Sequence, residues 1–158
     1  MLILPLNNQH DRSGFDCGND DLNQWFNQVA TQHKRKLVSM TFVATETGSG
    51  SEVFGFYAIS LVELLNADIP ATCRKKLPLR VPAFRLGRLA VSTKHQRRQV
   101  GKFLLFDAID RVTRISQEVG GAGLVVDAKT SAVNFYQRYG FEAMESHPDK
   151  LFLSIGPG

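Results

Sequence analysis

The stretch that most constrains this chain runs from Arg85 to Lys102. Arg85-Leu86-Gly87-Arg88-Leu89-Ala90-Val91 has the composition of a strand, and it leads through the polar turn Ser92 to Gln99 into a helix that begins at Val100. The first-turn amides of such a helix lack intrahelical acceptors and lie at the positive end of its dipole, which makes them an anion site suited to a pyrophosphate. Gly101 leaves room for a phosphate to approach the backbone, and Arg97, Arg98 and Lys102 add positive charge.

The same residues exclude two common nucleotide sites. A P-loop needs Gly-x-x-x-x-Gly-Lys-Ser/Thr, and Gln96 and Phe103 stand at its first and last positions. A dinucleotide fingerprint needs three spaced glycines, which are missing. Taken alone, the loop fits a solvated basic turn capping a helix as well as it fits a phosphate cradle, so its surroundings decide.

Upstream, Asn19 or Asp20 can cap a helix carrying Leu22, Trp25, Phe26, Val29 and Ala30 at helical spacing, with His33-Lys34-Arg35-Lys36 at its C-terminal end. Two β-rich runs, Met40 to Glu46 and Val53 to Leu61, flank the tip Gly48-Ser49-Gly50-Ser51 and predict a hairpin. From Asn66 to Pro82 three prolines and the cluster Arg74-Lys75-Lys76 predict an irregular crossover, followed by a strand from about Ala83 to Val91. The helix from Val100 to about Glu118 places Leu105, Ala108, Ile109, Val112 and Ile115 on one face and ends at Gly120-Gly121. Leu124-Val125-Val126 then reads as a short buried strand, and Ser131 to Tyr139 as a helix stopped by Gly140 at its C′ position. Two last strands lie near Phe141 to Glu145 and Leu151 to Ile155. This order predicts an α/β fold with a central mixed β-sheet flanked by helices, in a single domain over residues 1–158.

At 158 residues and 43% hydrophobic content, such a domain buries roughly 70% of its unfolded surface and requires neither disulfide nor structural metal. Cys17 and Cys73 are far apart, with no ligand-spaced neighbours, so reduced thiols and no bound metal are expected. His10, His33, His95 and His147 are scattered and expected at the surface. The apolar start Met1 to Leu6 lacks a basic n-region and is interrupted by Pro5, unlike a signal peptide. No stretch nears the roughly 20 apolar residues of a membrane span, so a cytoplasmic protein without membrane contact is expected. The net charge of +4 favours an anionic partner.

Gln96-Arg97-Arg98-Gln99-Val100-Gly101 resembles the Gln/Arg-x-x-Gly-x-Gly/Ala pyrophosphate motif of the GNAT superfamily, with Gln99 in place of the first glycine. Gly87-Arg88-Leu89-Ala90-Val91 before it, and Phe135-Tyr136-Gln137-Arg138-Tyr139-Gly140-Phe141 after the next strand, resemble GNAT segments in the right order. Phe15-Asp16-Cys17-Gly18-Asn19, with Leu22 and Phe26, resembles the GNAT toxins of bacterial toxin-antitoxin modules. The resemblance spans most of the chain and implies an N-acetyltransferase that uses acetyl-CoA. It implies a pantetheine arm paired with the backbone of Leu89, Ala90 and Val91 as an added strand would be. It also implies a pyrophosphate held by Gln96, Arg97, Arg98, Gln99, Val100, Gly101 and Lys102. Tyr136 would be the general acid beside the cofactor sulfur, with Tyr139 its rival and Phe135 and Phe141 in packing roles. Lys129 stands where many members carry an asparagine, three residues before Ala132. Glu63, after the second hairpin strand, is a candidate base for a small-amine enzyme or, as the preferred reading, a solvated strand-end carboxylate.

The toxin resemblance implies that the acceptor is the α-amine of an aminoacyl-tRNA and that the partner is a ribbon-helix-helix antitoxin. Lys34, Arg35, Lys36, Arg74, Lys75, Lys76, Arg80 and Arg85 are the candidates for contact with tRNA phosphates. Two alternatives stay open on sequence: acetylation of a small-molecule or protein amine with no antitoxin, and a non-catalytic GNAT-fold module that binds nucleic acid or protein. A homodimer is compatible with each of these readings.

Overall fold

The computed structural model describes residues 1–48, 50–96, 98–145 and 147–156. In chain order the elements are β1 (Leu2–Pro5), α1 (Asp20–Gln28), α2 (Ala30–Arg35), β2 (Met40–Thr45), β3 (Gly55–Leu65) and a 3-10 turn at Asn66–Asp68. Next come β4 (Arg80–Val91), α3 (Val100–Val119), β5 (Gly123–Asp127), a 3-10 turn at Thr130–Ala132, α4 (Val133–Arg138), β6 (Glu142–Met144) and β7 (His147–Ser154). The strands form a seven-stranded sheet in the order β1-β2-β3-β4-β5-β7-β6. It is mixed as expected, since β4 and β5 run parallel while β1/β2, β2/β3, β5/β7 and β6/β7 are antiparallel. The chain divides into two compact units, Met1–Ser60 with Gly87–Ala108 and Leu61–Leu86 with Ile109–Gly158.

In the first unit, Asn19 caps α1 by accepting the Leu22 amide at 3.1 Å, and Asp20 and Asp21 occupy the first turn, where negative charge is favoured. The expected single helix is two, broken at Val29. Arg12 supplies the reason: its guanidinium takes the Asn27 carbonyl at 2.7 Å, the acceptor that a continuous helix would offer to Thr31. The apolar face of α1 buries Trp25 and Phe26, and Phe26 stacks on Phe56 of β3 at 4.3 Å with Phe15 set edge-on to both. Leu6, Val43, Ala58 and Ala90 complete that core. Tyr57, wholly buried, donates its hydroxyl to the Asp107 carboxylate at 2.5 Å and so ties β3 to α3.

β1 was not expected. Leu2 to Pro5 pairs antiparallel with Thr45 to Phe42 at the sheet edge, where a proline is tolerated because one side of the strand has no neighbour to bond. His10 and His95 also depart from expectation, being 5% and 6% exposed. The His10 ring accepts the Asn7 amide through Nδ1, and burial with Lys34 nearby lowers its pKa.

In the second unit, β5 lies between β4, with Phe84 opposite Leu124, and β7, with Val125 opposite Phe152. Ile69, Val81, Val125, Met144 and Phe152 form its core. The crossover expected to be irregular is organised by Asn66, whose side-chain amide donates to the carbonyls of Arg74 and Leu77 at 3.1 and 3.0 Å. α4 ends as predicted, with Gly140 at φ +94 just past its cap. Among the described residues, no helix is long and apolar enough to cross a membrane.

Candidate active site

β4 delivers Leu89 and Val91 half-exposed and Ala90 buried to the start of the loop. Alternation puts Arg88 on the same face as Ala90, and the Arg88 guanidinium lies 4.2 Å above the Trp25 ring. The loop itself is tightly held. Ser92 donates its amide to Phe54 and Thr93 to Asp16, at 2.8 and 2.9 Å, and His95 stacks on Phe54 at 3.9 Å with Nε2 3.4 Å from Glu52. Gln96, exposed, donates its side-chain amide to the carbonyls of Val91 and Cys17, at 3.2 and 3.4 Å, so it braces the loop.

Gln99, the departure from the glycine pattern, adopts φ +60. The backbone therefore takes the left-handed turn that glycine favours, with a side chain in place, and the Gln99 carbonyl accepts the Phe103 amide at 3.1 Å as α3 begins. Val100 is buried, Gly101 and Lys102 are half-exposed, and Arg98 is exposed. Arg97 lies outside the described residues. Gln99→Gly is expected to raise stability by about 0.5–1 kcal/mol, the left-handed strain relieved less the extra freedom of glycine in the unfolded chain, with acetyl-CoA affinity kept. Thermal unfolding with and without acetyl-CoA measures both.

Strand β3 can approach this point only because position 55 has no side chain. A Cβ on Gly55 would sit 2.7 Å from the Ala90 carbonyl oxygen, 2.8 Å from Leu104 and 3.3 Å from Val100. A carbonyl in a sheet cannot swing aside, so Gly55→Ala is expected to cost about 1–3 kcal/mol. The change reads as a fall in Tm of about 2–12 °C.

Tyr136 sits in α4, 7% exposed, between the rings of Phe135 at 5.1 Å and Phe141 at 5.4 Å. Burial pushes its hydroxyl from 10.0 up to about 12. It is thus a neutral phenol throughout the physiological range, a hydrogen-bond donor that does not ionise. Tyr139, expected on the same helix, is the cap residue beyond α4, half-buried and edge-on to Phe135 at 5.4 Å.

A family model described as an acetyltransferase (GNAT) domain matches residues 76–151. Over 94% of its length the chain is 32% identical to the tRNA-acetylating toxin of Mycobacterium tuberculosis (strain ATCC 25618 / H37Rv), covering 88% of that protein. The chain belongs to the GNAT acetyltransferases. It is an N-acetyltransferase with acetyl-CoA as donor. Two solved structures are similar in fold along nearly the whole chain. AtaT complexed with acetyl-methionyl-tRNAfMet matches with a TM-score of 0.89 at 27% identity, over 97% of this chain and 94% of that one. AtaTR bound with AcCoA matches with a TM-score of 0.80 at 28% identity, over 97% and 92%.

The candidate tRNA contacts of this GNAT chain separate into two sets. Lys34 donates its ammonium to the Leu6 carbonyl at 2.6 Å, Arg74 bonds the Ala67 carbonyl at 3.2 Å, Arg80 pairs with Glu63 at 3.0 Å, and Arg85 pairs with Asp127. Arg35, Lys36, Lys75 and Lys76 are exposed, and so, within their pairs, are Arg80 and Arg85. Glu63, expected after the hairpin strand, lies within β3, exposed and bonded to Arg80. The bracing role of Gln96 and the bond that the Thr93 amide donates to the Asp16 carbonyl were not foreseen; the sequence signal for them was the Phe15 to Asn19 segment ahead of α1.

Proposed function

We propose that residues 1–158 act as one catalytic domain, a toxin that moves an acetyl group from acetyl-CoA to the α-amine of an aminoacyl-tRNA. Acetylation removes the nucleophile that peptide-bond formation requires, so translation stops. The observation that carries this reading is the chain-long similarity to a tRNA-acetylating toxin. The exposed cations Arg35, Lys36, Lys75 and Lys76 suit a polyanionic acceptor. The site of action is the cytoplasm, where charged tRNA resides, and the partner is a ribbon-helix-helix antitoxin.

In this reading the amides of Val100, Gly101 and Lys102, with Arg98 and Arg97, hold the pyrophosphate, and the Leu89 to Val91 backbone holds the pantetheine arm. The α-amine, with a pKa near 7.7–8, is substantially neutral at physiological pH and needs no strong base. As its nitrogen bonds the acetyl carbon, the carbon–sulfur bond breaks and CoA leaves as a thiolate. The amine gives up one proton and the thiolate takes one. Tyr136 donates to the departing sulfur, and its hydroxyl is restored by the proton released from the amine.

Incubating the purified chain with labelled acetyl-CoA and charged tRNA is expected to yield acetylated amino acid on the tRNA. CoA release with polyamines or peptides and none with charged tRNA would overturn the toxin reading. Failure to release CoA with any amine, alongside retained RNA binding, would make the chain a binding module.

A further inference from the structure

The Asp16 to Asn23 segment is not part of the pyrophosphate motif, yet it holds the loop that contains it. Phe15 anchors the segment in the core. Asn23, half-buried on α1, uses both ends of its carboxamide: Oδ1 accepts the Cys17 amide and Nδ2 donates to Asp16 Oδ1, each at 2.9 Å. Asp16 Oδ1 also accepts the Gly18 amide at 2.8 Å, which closes the turn. With side chains and amides committed inward, the carbonyls of Asp16 and Cys17 are left for the loop. The first accepts the Thr93 amide at 2.9 Å and the second the Gln96 side-chain amide at 3.4 Å. The loop is thus pinned at its entrance and again three residues on, ahead of the left-handed turn at Gln99.

We propose that Asp16 and Asn23 are positioning residues for acetyl-CoA: they set the two carbonyls that hold Thr93 and Gln96, and through them the geometry of the pyrophosphate loop. The inference rests on that loop being the pyrophosphate site. A loop held in its binding shape before the cofactor arrives loses less freedom on binding, so releasing it weakens affinity and leaves the chemical step alone.

Asn23→Ala and Asp16→Ala are expected to raise the KM and the equilibrium Kd for acetyl-CoA about five- to tenfold, from the hydrogen bonds each removes, with kcat kept within about twofold. Asp16→Asn keeps the accepting oxygen and is expected to bind as the parent does. A merely structural role would lower the melting temperature and the folded fraction, and with it the apparent kcat, while the Kd of the folded protein for acetyl-CoA stayed that of the parent. Gly101→Val serves as the reference, because it blocks the cradle directly. If Gly101→Val leaves acetyl-CoA binding intact, the loop is not the pyrophosphate site and the underlying reading falls. If it abolishes binding while both alanine variants bind like the parent, the positioning role alone falls. Should Asn23→Ala fail to fold, Asp16→Ala, a change at an exposed side chain, decides by the same measurements.

Discussion

Tyr136→Phe is expected to lower kcat by about 10²- to 10⁴-fold, the range for loss of a positioned general acid, while acetyl-CoA binds as before. Phenylalanine keeps the ring that packs between Phe135 and Phe141, so the variant should fold normally and the loss should lie in the chemical step. Single-turnover rates with bound acetyl-CoA isolate that step from binding. The pH profile adds an independent check. Because burial holds the Tyr136 hydroxyl near about 12, its ionisation does not depress the rate anywhere below about pH 11. The parent rate should therefore rise with pH through the α-amine pKa near 7.7–8 and then stay level to pH 10. An unchanged rate in Tyr136→Phe, together with a large loss in Tyr139→Phe, would transfer the role to Tyr139.

Raising salt from 50 to 200 mM is expected to weaken binding of charged tRNA about 50- to 150-fold. The figure holds if Arg35, Lys36, Lys75 and Lys76 each contact one phosphate, as proposed, with each contributing a slope of roughly 0.7–0.9. Glutamine at Lys75 and Lys76 together should halve that slope. Glutamine at Arg80 and Arg85 should change it less, since both arginines already face carboxylates, Glu63 and Asp127. Filter binding or fluorescence anisotropy across a salt series gives the slopes, with acetyl-CoA affinity measured alongside as an internal control. An acceptor KM that does not respond to salt would point to a small neutral amine in place of tRNA.

The parts of the fold legible in the sequence were those in which one local rule sufficed. The strand to Val91, the helix from Val100, the buried run at Leu124 and the stop at Gly140 all follow from periodicity or from one special residue. What escaped depended on partners distant in the chain. Nothing near Asn27 announces that Arg12 will take its carbonyl and divide α1 from α2. β1 is too short to show alternation and exists through its pairing with β2. His95 looks like a surface residue until Phe54 covers it. At the candidate site, the motif letters pointed to the loop and to Tyr136, but they could not show that Gln96 ties the loop to Cys17, because that carbonyl lies 79 residues earlier.

The left-handed backbone at Gln99 bears on how relatives of this chain are recognised. A pattern written in letters asks for glycine at that position and would pass this sequence over. If the loop holds the pyrophosphate as proposed, what it requires is a dihedral angle, and the chain has that angle with a residue that the letters exclude. Such a loop is better searched for by its backbone conformation and its bracing partners than by its glycines, and acetyltransferases that lack the first glycine can be expected among sequences that a strict motif search rejects.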